Sequence, residues 1–222
     1  MNNSVTNTAR LAGAGLRALL VLTLVTGVLY PLVVTGIAQG LFHDKANGSE
    51  ITADGKVVGS SLIGQAYNLP LKEGQETPEP DLRWFQGRPQ NGLGTNSVNT
   101  RYKLILSGAT NRSGDNEELI QWVKDAKAAV VKDNSTGTYK VKPSQVPADA
   151  VTSSGSGLDP DISPQYADLQ VHRVAEKNGL STAEVQKLVD EHTEGRTLGF
   201  MGEPRVNVLE LNIALKELTA KS

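Results

Sequence analysis

The chain has 222 residues, 38% of them hydrophobic and 21% charged, which suits one or two globular domains. Its 22 Lys and Arg against 24 Asp and Glu give a net charge of −2, which argues against a nucleic-acid-binding protein. The sequence contains no cysteine, which excludes disulfides, cysteine-ligated zinc or iron–sulfur sites, and thiol catalysis.

The N-terminal part of the chain predicts a transmembrane helix. The run from Ala18 to Phe42 carries no charged residue, and as an α-helix it is about 37 Å long, enough to cross a hydrocarbon core of about 30 Å. Arg10 and Arg17 precede this run and all acidic residues follow it, so the positive-inside rule places the N-terminus in the cytoplasm. The sequence therefore predicts three parts: a cytoplasmic N-terminus at 1–15, a transmembrane helix at 16–41 and an extracytoplasmic domain at 42–222.

A cleavable signal peptide is the alternative interpretation of the same run. Pro31 followed by Gly36, Ile37 and Ala38 could mimic a cleavage region. The apolar region of a signal peptide spans only about 7–15 residues, however, and this run is longer. We therefore expect a retained anchor in which Pro31 produces a local kink.

Small and weakly polar residues recur at every fourth position of the anchor, and Gly36 and Gly40 form a GxxxG motif. Such residues let two membrane helices approach closely and gain dispersion contacts, which hold helices together in lipid. GxxxG matches also arise by chance, because glycine is common in membrane helices. We expect another helix to contact the following set, called the ribbon: Thr23, Gly27, Pro31, Thr35, Gly36, Gln39 and Gly40.

The rest of the sequence predicts an α+β fold, with a mixed first half and a helical C-terminal third. Asp54-Gly55 between β-prone pairs is typical of a two-residue hairpin turn, and 61–64 is predicted as a strand or its edge. The region 86–116 is rich in Gly, Asn, Ser and Thr, with one apolar run at 102–106. We expect a long irregular region there.

Four helices follow from N-cap residues and apolar spacing. In the third of them, Ser181 and Glu184 form a capping box. The predicted limits of the first three are Asp115 or Asn116 to Lys132, Ser163 to Gly179, and Ser181 to Gly195. The fourth helix begins at Asn207 and has one apolar face.

Common catalytic and metal-binding patterns do not match this sequence. It has no G-x-S-x-G nucleophile elbow, and Asp159 begins a stretch like a calcium loop in which Pro164 stands where glycine is needed. We expect His172 and His192 to be surface or half-buried histidines rather than ligands. Trp84 and Phe85 are predicted to lie in the core.

Two segments carry many turn-forming residues. The Ser-Gly segment, 153–160, offers backbone N–H groups that could hold an anion or dock against another chain. Asp159 and Asp161 lie just before a helix, where carboxylates stabilise the helix dipole. The GEPRVN segment, 202–207, is predicted as a turn in which Glu203 and Arg205 pair with neighbours.

Together these segments resemble the C subunit of Kdp-type potassium-transporting ATPases. The blocks SGSGLDP, ISP and GEPRVNVL carry the resemblance, and FQGRP and 59–65 add to it. The resemblance implies docking or structural roles, and no catalysis or metal binding, for the matching positions: Gly155, Ser156, Gly157, Asp159, Pro160, Ser163, Pro164, Gly202, Glu203, Pro204, Arg205 and Asn207.

The resemblance also implies a function and partners. The family is an accessory, non-catalytic subunit of an ATP-driven potassium importer, needed for assembly and described as a catalytic chaperone for ATP binding. Its partners are a channel-like, potassium-binding A subunit and an ATP-hydrolysing B subunit, so ATP and potassium are handled by the complex. Because the predicted topology places most of this chain away from cytosolic ATP, we expect its effect on ATP binding to be indirect.

Two other classes of protein stay open as alternatives. One is a membrane-anchored solute-binding module, which would bind a small molecule as a free domain. The other is an extracytoplasmic hydrolase with Asp159 and Asp161 as its acid–base pair, which would keep its activity without partners.

Overall fold

The computed structural model describes residues 3–75, 78–89, 107–108 and 112–221, which fall into two compact units, Met1–Glu50 and Ile51–Ser222. The predicted apolar run 102–106 lies outside the described residues. In chain order the elements are α1 (Asn3–Leu24), a π-helical turn (Val25–Leu29), α2 (Tyr30–Leu41), α3 (His43–Ala46), β1 (Glu50–Ala53), β2 (Lys56–Ser60), α4 (Glu117–Asn134), 3₁₀ turns at Pro143–Gln145 and Ala148–Ala150, β3 (Asp161–Ile162), α5 (Pro164–Asn178), α6 (Thr182–Glu191), β4 (Thr193–Glu194), β5 (Arg205–Asn207) and α7 (Val208–Lys221).

The first unit contains a long apolar helix. Ser4–Leu41 has the length and composition to cross a membrane, and no residue of its most apolar stretch is buried in the isolated chain. The helix contains the predicted span 16–41 but begins earlier, at Asn3, because no proline interrupts the residues before it. The predicted boundary at residue 16 stays a prediction, since the helix is continuous across it.

A π-helical turn stands directly before Pro31, where the sequence predicted a kink. Proline has no N–H to donate to the carbonyl of residue 27, and its ring crowds that carbonyl. The helix widens there, and the Tyr30 N–H donates to the Val25 carbonyl, five residues back. Gly27 at the crowded position adds no side chain of its own.

The second unit opens with the predicted hairpin. Strands β1 and β2 form a two-stranded sheet, and Asp54 and Gly55 between them have φ angles of 52° and 73°. The predicted strand at 61–64 is wrong, because the chain turns after β2. The Ser60 carbonyl accepts from the Ile63 N–H at 3.3 Å and the Ser60 hydroxyl from the Leu62 N–H at 3.1 Å, so the strand stops at Ser60.

The four predicted helices are present as α4, α5, α6 and α7, and their N-caps are confirmed. The predicted end of α6 at Gly195 is wrong. The helix ends at Glu191, because the next residues form β4 and pair with β5. Each cap oxygen accepts a backbone N–H: Asn116 from Leu119 at 3.0 Å, Ser163 from Tyr166 at 3.1 Å, Ser181 from Glu184 at 3.2 Å, and Asn207 from Glu210 at 3.2 Å.

A small antiparallel sheet of order β3-β5-β4 joins the C-terminal helices. The GEPRVN segment was predicted as a turn, but its second half is the central strand β5. Asn207 pairs with Asp161 and Arg205 pairs with Glu194, while Val206 between them is fully buried. These strands are too short for a period-two pattern, so the sequence did not reveal them. The predicted α+β fold, with a helical C-terminal region, is confirmed.

The core contains polar side chains that support a segment without a strand partner. Phe85, predicted as core, is fully buried, and its N–H and carbonyl both bond to the Asn212 amide at 2.9 Å. Gln170 does the same for Gln86, accepting from its N–H at 2.7 Å and donating to its carbonyl at 3.1 Å. Side chains of α5 and α7 thus take the place of a neighbouring strand for residues 85–86.

Arg173 completes this buried polar network. It is 1% exposed, and its guanidinium donates to the Trp84 carbonyl at 2.9 Å and to the Leu82 carbonyl. It also reaches Asn134 Oδ1 at 2.8 Å and Gln170 Oε1 at 2.6 Å. Burial lowers the pKa of Arg173 to about 10, which still leaves it charged at neutral pH. The network fixes the chain that leads to Arg88.

Candidate functional site

A polar cleft of about 480 Å³ lies where the Ser-Gly segment, β3 and the GEPRVN segment meet. It brings together residues that the sequence analysis selected from separate blocks. We call it the signature cleft, and its charged lining residues are Arg88, Asp149, Asp159, Asp161, Glu203 and Arg205.

Arg88 ties the FQGRP block to the Ser-Gly segment. Its Nη1 lies 2.9 Å from Asp159 Oδ2, and its Nη2 donates to the Ser153 carbonyl at 3.2 Å. The other oxygen of Asp159 accepts the Asp161 N–H at 3.0 Å. Both partners of the ion pair are more than two-thirds buried, at 23% and 29% side-chain exposure, so this pair is better shielded from solvent than an ordinary surface pair.

Arg205 forms the second cluster, across the sheet. Its Nε lies 3.2 Å from Asp161 Oδ2 and its Nη2 lies 2.7 Å from Glu194 Oε2. Asn207 donates to Asp161 Oδ1 at 3.3 Å and to the Ser61 carbonyl at 2.9 Å. Burial raises the pKa of Asp161, helped by the nearby Asp159 and Glu194 carboxylates, while Arg205 and Asn207 oppose the shift.

A third acid, Asp149, holds the start of α5. Its two oxygens accept from the Ser163 N–H at 2.7 Å and the Ser163 hydroxyl at 3.0 Å. Ser163 in turn caps α5, and Pro164 follows at its first turn. Asp149 was not singled out from the sequence, because a loop separates it from Ser163 and no local pattern indicates their contact.

The remaining signature residues hold the main chain around the cleft. Gly157 is buried with a φ angle of 69°, a left-handed conformation that glycine adopts freely, whereas Gly155 and Ser156 are exposed. The Pro160 carbonyl accepts the Val208 N–H at 3.0 Å and so joins the Ser-Gly segment to the start of α7. Gly202, also left-handed, precedes Glu203, which pairs with Arg196 at 2.8 Å; Pro204 lines the cleft.

The carboxylates of the cleft are engaged in structural contacts. Asp159 pairs with Arg88 and Asp161 pairs with Arg205, so both carboxylates hold separate segments of the chain together. Within the described part of the chain, no cluster of three His, Asp or Glu residues could hold a metal ion. His172 and His192 are half-buried, as predicted: His172 stacks on Tyr139 at 3.9 Å, and His192 Nδ1 lies 2.8 Å from the Leu188 carbonyl.

The ribbon of the first unit lies on an exposed helix. A side-chain carbon at Gly36 or Gly40 would find no other heavy atom within 4 Å, so both positions are open to a neighbour. Gln39 instead exchanges two amide hydrogen bonds with Asn47, at 3.1 and 3.2 Å.

The π-helical turn affects how the ribbon lies on the helix surface. On an α-helix, two residues four positions apart differ by about 40° in direction around the helix axis, so a row of such residues winds around the helix. A π turn holds one more residue than an α turn, and this turns the residues after it back by about 100° around the axis. The turn Val25–Leu29 therefore brings Thr23 and Gln39 closer to one face.

The structure thus defines a class of protein: a candidate membrane span followed by a compact α+β unit, with an ion-paired cleft made from separated segments. Residues 12–217 match the KdpC family, described as K⁺-transporting ATPase, c chain. The chain belongs to this family of K⁺-transporting ATPase subunits.

Relatives support the same assignment over the full length. The chain is 86% identical to the potassium-transporting ATPase KdpC subunit of Streptomyces avermitilis, covering 100% of both chains. It is 80% identical to the KdpC subunit of Streptomyces coelicolor, with 99% of this chain and 98% of the relative covered. The KdpC subunit of Caldanaerobacter subterraneus is 46% identical, with coverage of 89% and 90%.

Proposed function

We propose that this chain is a non-catalytic subunit that assembles the potassium-transporting complex and supports ATP binding by its ATPase subunit without touching ATP. The observation that carries the proposal is the engagement of the cleft carboxylates by Arg88 and Arg205, in a family of complex subunits. Such contacts join separate segments of the chain into one rigid docking body. The proposed partners are a channel-like, potassium-binding subunit and an ATP-hydrolysing subunit.

Co-purification tests the assembly role. With an affinity tag on the ATPase subunit, the channel-like subunit should be recovered from membranes that contain this chain and lost from membranes that lack it. Equal recovery in the two membranes would reject the assembly role.

We further propose that the chain itself binds neither ATP nor potassium. Dehydrated potassium needs a ring of several oxygens held in a rigid filter, and the Asp159 and Asp161 carboxylates are occupied by arginines. All 24 acidic residues follow the uncharged run 18–42, whereas Arg10 and Arg17 of the 22 basic residues precede it. A mildly acidic domain near an ion entrance would raise the local cation concentration.

The proposed orientation follows from Arg10 and Arg17, the basic residues before the uncharged run 18–42. We expect protease added to intact spheroplasts to digest the second unit, because that unit lies outside. A cytoplasmic marker protein should stay intact in the same sample. Protection of the second unit until the membrane is opened by detergent would contradict this topology.

The ribbon is the proposed contact with a partner's helix. Gly40→Leu should lower recovery of the complex by steric clash, which costs about 1–3 kcal/mol in a packed interface. Val33→Leu, at an exposed site outside the ribbon, is the matched control and should leave recovery unchanged. Equal loss with the two variants would show that the ribbon is not the interface.

A further inference from the structure

The hairpin between β4 and β5 ends in exposed apolar side chains. Leu198 is 79% exposed, Phe200 70% and Met201 45%, so this short loop presents three large apolar residues to solvent. We call residues 197–201 the hairpin tip. An apolar cluster in solvent is unfavourable unless another surface covers it.

The hairpin tip has a fixed shape. Thr197 and Met201 pair through two backbone hydrogen bonds of 2.9 and 3.0 Å, and the Phe200 N–H donates to the Thr197 carbonyl at 3.3 Å. Leu198 and Gly199 at the centre of this turn both have left-handed φ angles, of 54° and 81°. The apolar side chains are therefore presented in a preformed arrangement.

Leucine is a poor residue for this turn. In the left-handed conformation its Cβ crowds the backbone carbonyl, so Gly, Asn or Asp is normally found there. The β1–β2 hairpin shows the ordinary solution, with Asp54 and Gly55 in the same pair of left-handed positions. A strained leucine at an exposed tip points to a use for its side chain outside the fold.

The charges at the base of the hairpin are balanced. Arg196 pairs with Glu203 at 2.8 Å, and Arg205 pairs with Glu194 at 2.7 Å. A loop that inserts into an anionic lipid surface would normally present unpaired basic residues around its apolar tip. A neutral base and a preformed apolar tip match a preformed apolar pocket in a protein instead.

We propose that Leu198, Phe200 and Met201 anchor this chain in an apolar pocket on another subunit of its K⁺-transporting ATPase complex. The inference rests on the proposed assembly function and assigns it a contact surface. In this arrangement the signature residues Glu203 and Arg205 hold the base of the hairpin, and the apolar residues make the contact.

Opposite effects on folding and assembly test the anchor. In the full-length chain, Leu198→Asn should keep or raise the thermal unfolding temperature, because asparagine suits the left-handed turn. The same variant, and Phe200→Ser, should reduce recovery of this chain on the tagged ATPase subunit about tenfold, as removal of an interface anchor does. Leu62→Asn, at a site 63% exposed, is the control and should change neither measurement.

Three results would overturn the anchor. One is wild-type recovery of Leu198→Asn and Phe200→Ser. Another is loss of recovery only in variants whose unfolding temperature also falls, since that reports misfolding. A photo-cross-linking residue at position 200 should yield an adduct with another subunit in native membranes. Adducts with lipid alone would be the third result that overturns the anchor.

The anchor and the assembly function can fail separately. If deleting the whole chain leaves the other subunits assembled, the assembly function is wrong. If deletion disperses them but the tip variants do not, the assembly function stands and the anchor is rejected.

Discussion

Replacing Arg173 with methionine is expected to lower the free energy of unfolding of the second unit by about 3–5 kcal/mol, because several buried acceptors lose their donor. The guanidinium is almost fully buried and donates to the carbonyls of Leu82 and Trp84 and to the side chains of Asn134 and Gln170. Methionine fills a similar volume but leaves these acceptors buried without a donor. Urea unfolding of the full-length chain in detergent measures the change.

Two controls separate the network from charge alone. Lys177→Met removes an exposed cation from the same helix, α5, and should change the free energy of unfolding by about 0.5 kcal/mol or less. Arg173→Lys keeps the charge but loses the fork of donors, so an intermediate loss is expected. An Arg173→Met variant within 1 kcal/mol of the wild type, on the scale of a typical single contact, would show that the buried network contributes little.

The second large effect is expected at Asn212. Its amide holds both the N–H and the carbonyl of Phe85 in a fully buried position. Asn212→Leu keeps the approximate volume but leaves both backbone groups buried without a hydrogen-bond partner. It should lower the free energy of unfolding by about 2–4 kcal/mol. Hydrogen exchange of the Phe85 amide should speed up along with the fall in unfolding midpoint.

Asn178 offers a matched control for Asn212. It donates to the neighbouring Arg83 carbonyl at 2.8 Å but is only half-buried, so water can replace its amide. Asn178→Ala should therefore cost about 1 kcal/mol or less. If both variants destabilise equally, burial is not the reason for the Asn212 effect.

Local signals predicted the elements that depend on neighbouring residues. Asp54-Gly55 encodes its turn directly, and Ser163, Ser181 and Asn207 each bond within three residues, so hairpin and caps could be recognised from the sequence alone. The strand predicted at 61–64 failed because β-propensity could not anticipate the bonds made by Ser60.

Contacts between distant residues were not predictable in the same way. The strands β3, β4 and β5 have two or three residues each and exist only because the tertiary fold pairs them. The Arg88–Asp159 pair joins residues 71 positions apart, and no single-sequence pattern marks it. Resemblance to a family selected the signature residues, whereas their arrangement around one cleft came from the structure.

Potassium-stimulated ATP hydrolysis at limiting ATP tests the central claim most directly. The samples are solubilised membranes that contain the channel-like and ATPase subunits, with or without this chain. The sample without the chain is assayed again after the full-length chain is added back. The proposed function predicts that stimulation is lost without the chain and returns when it is added. Undiminished stimulation at limiting ATP in its absence would contradict the proposed function.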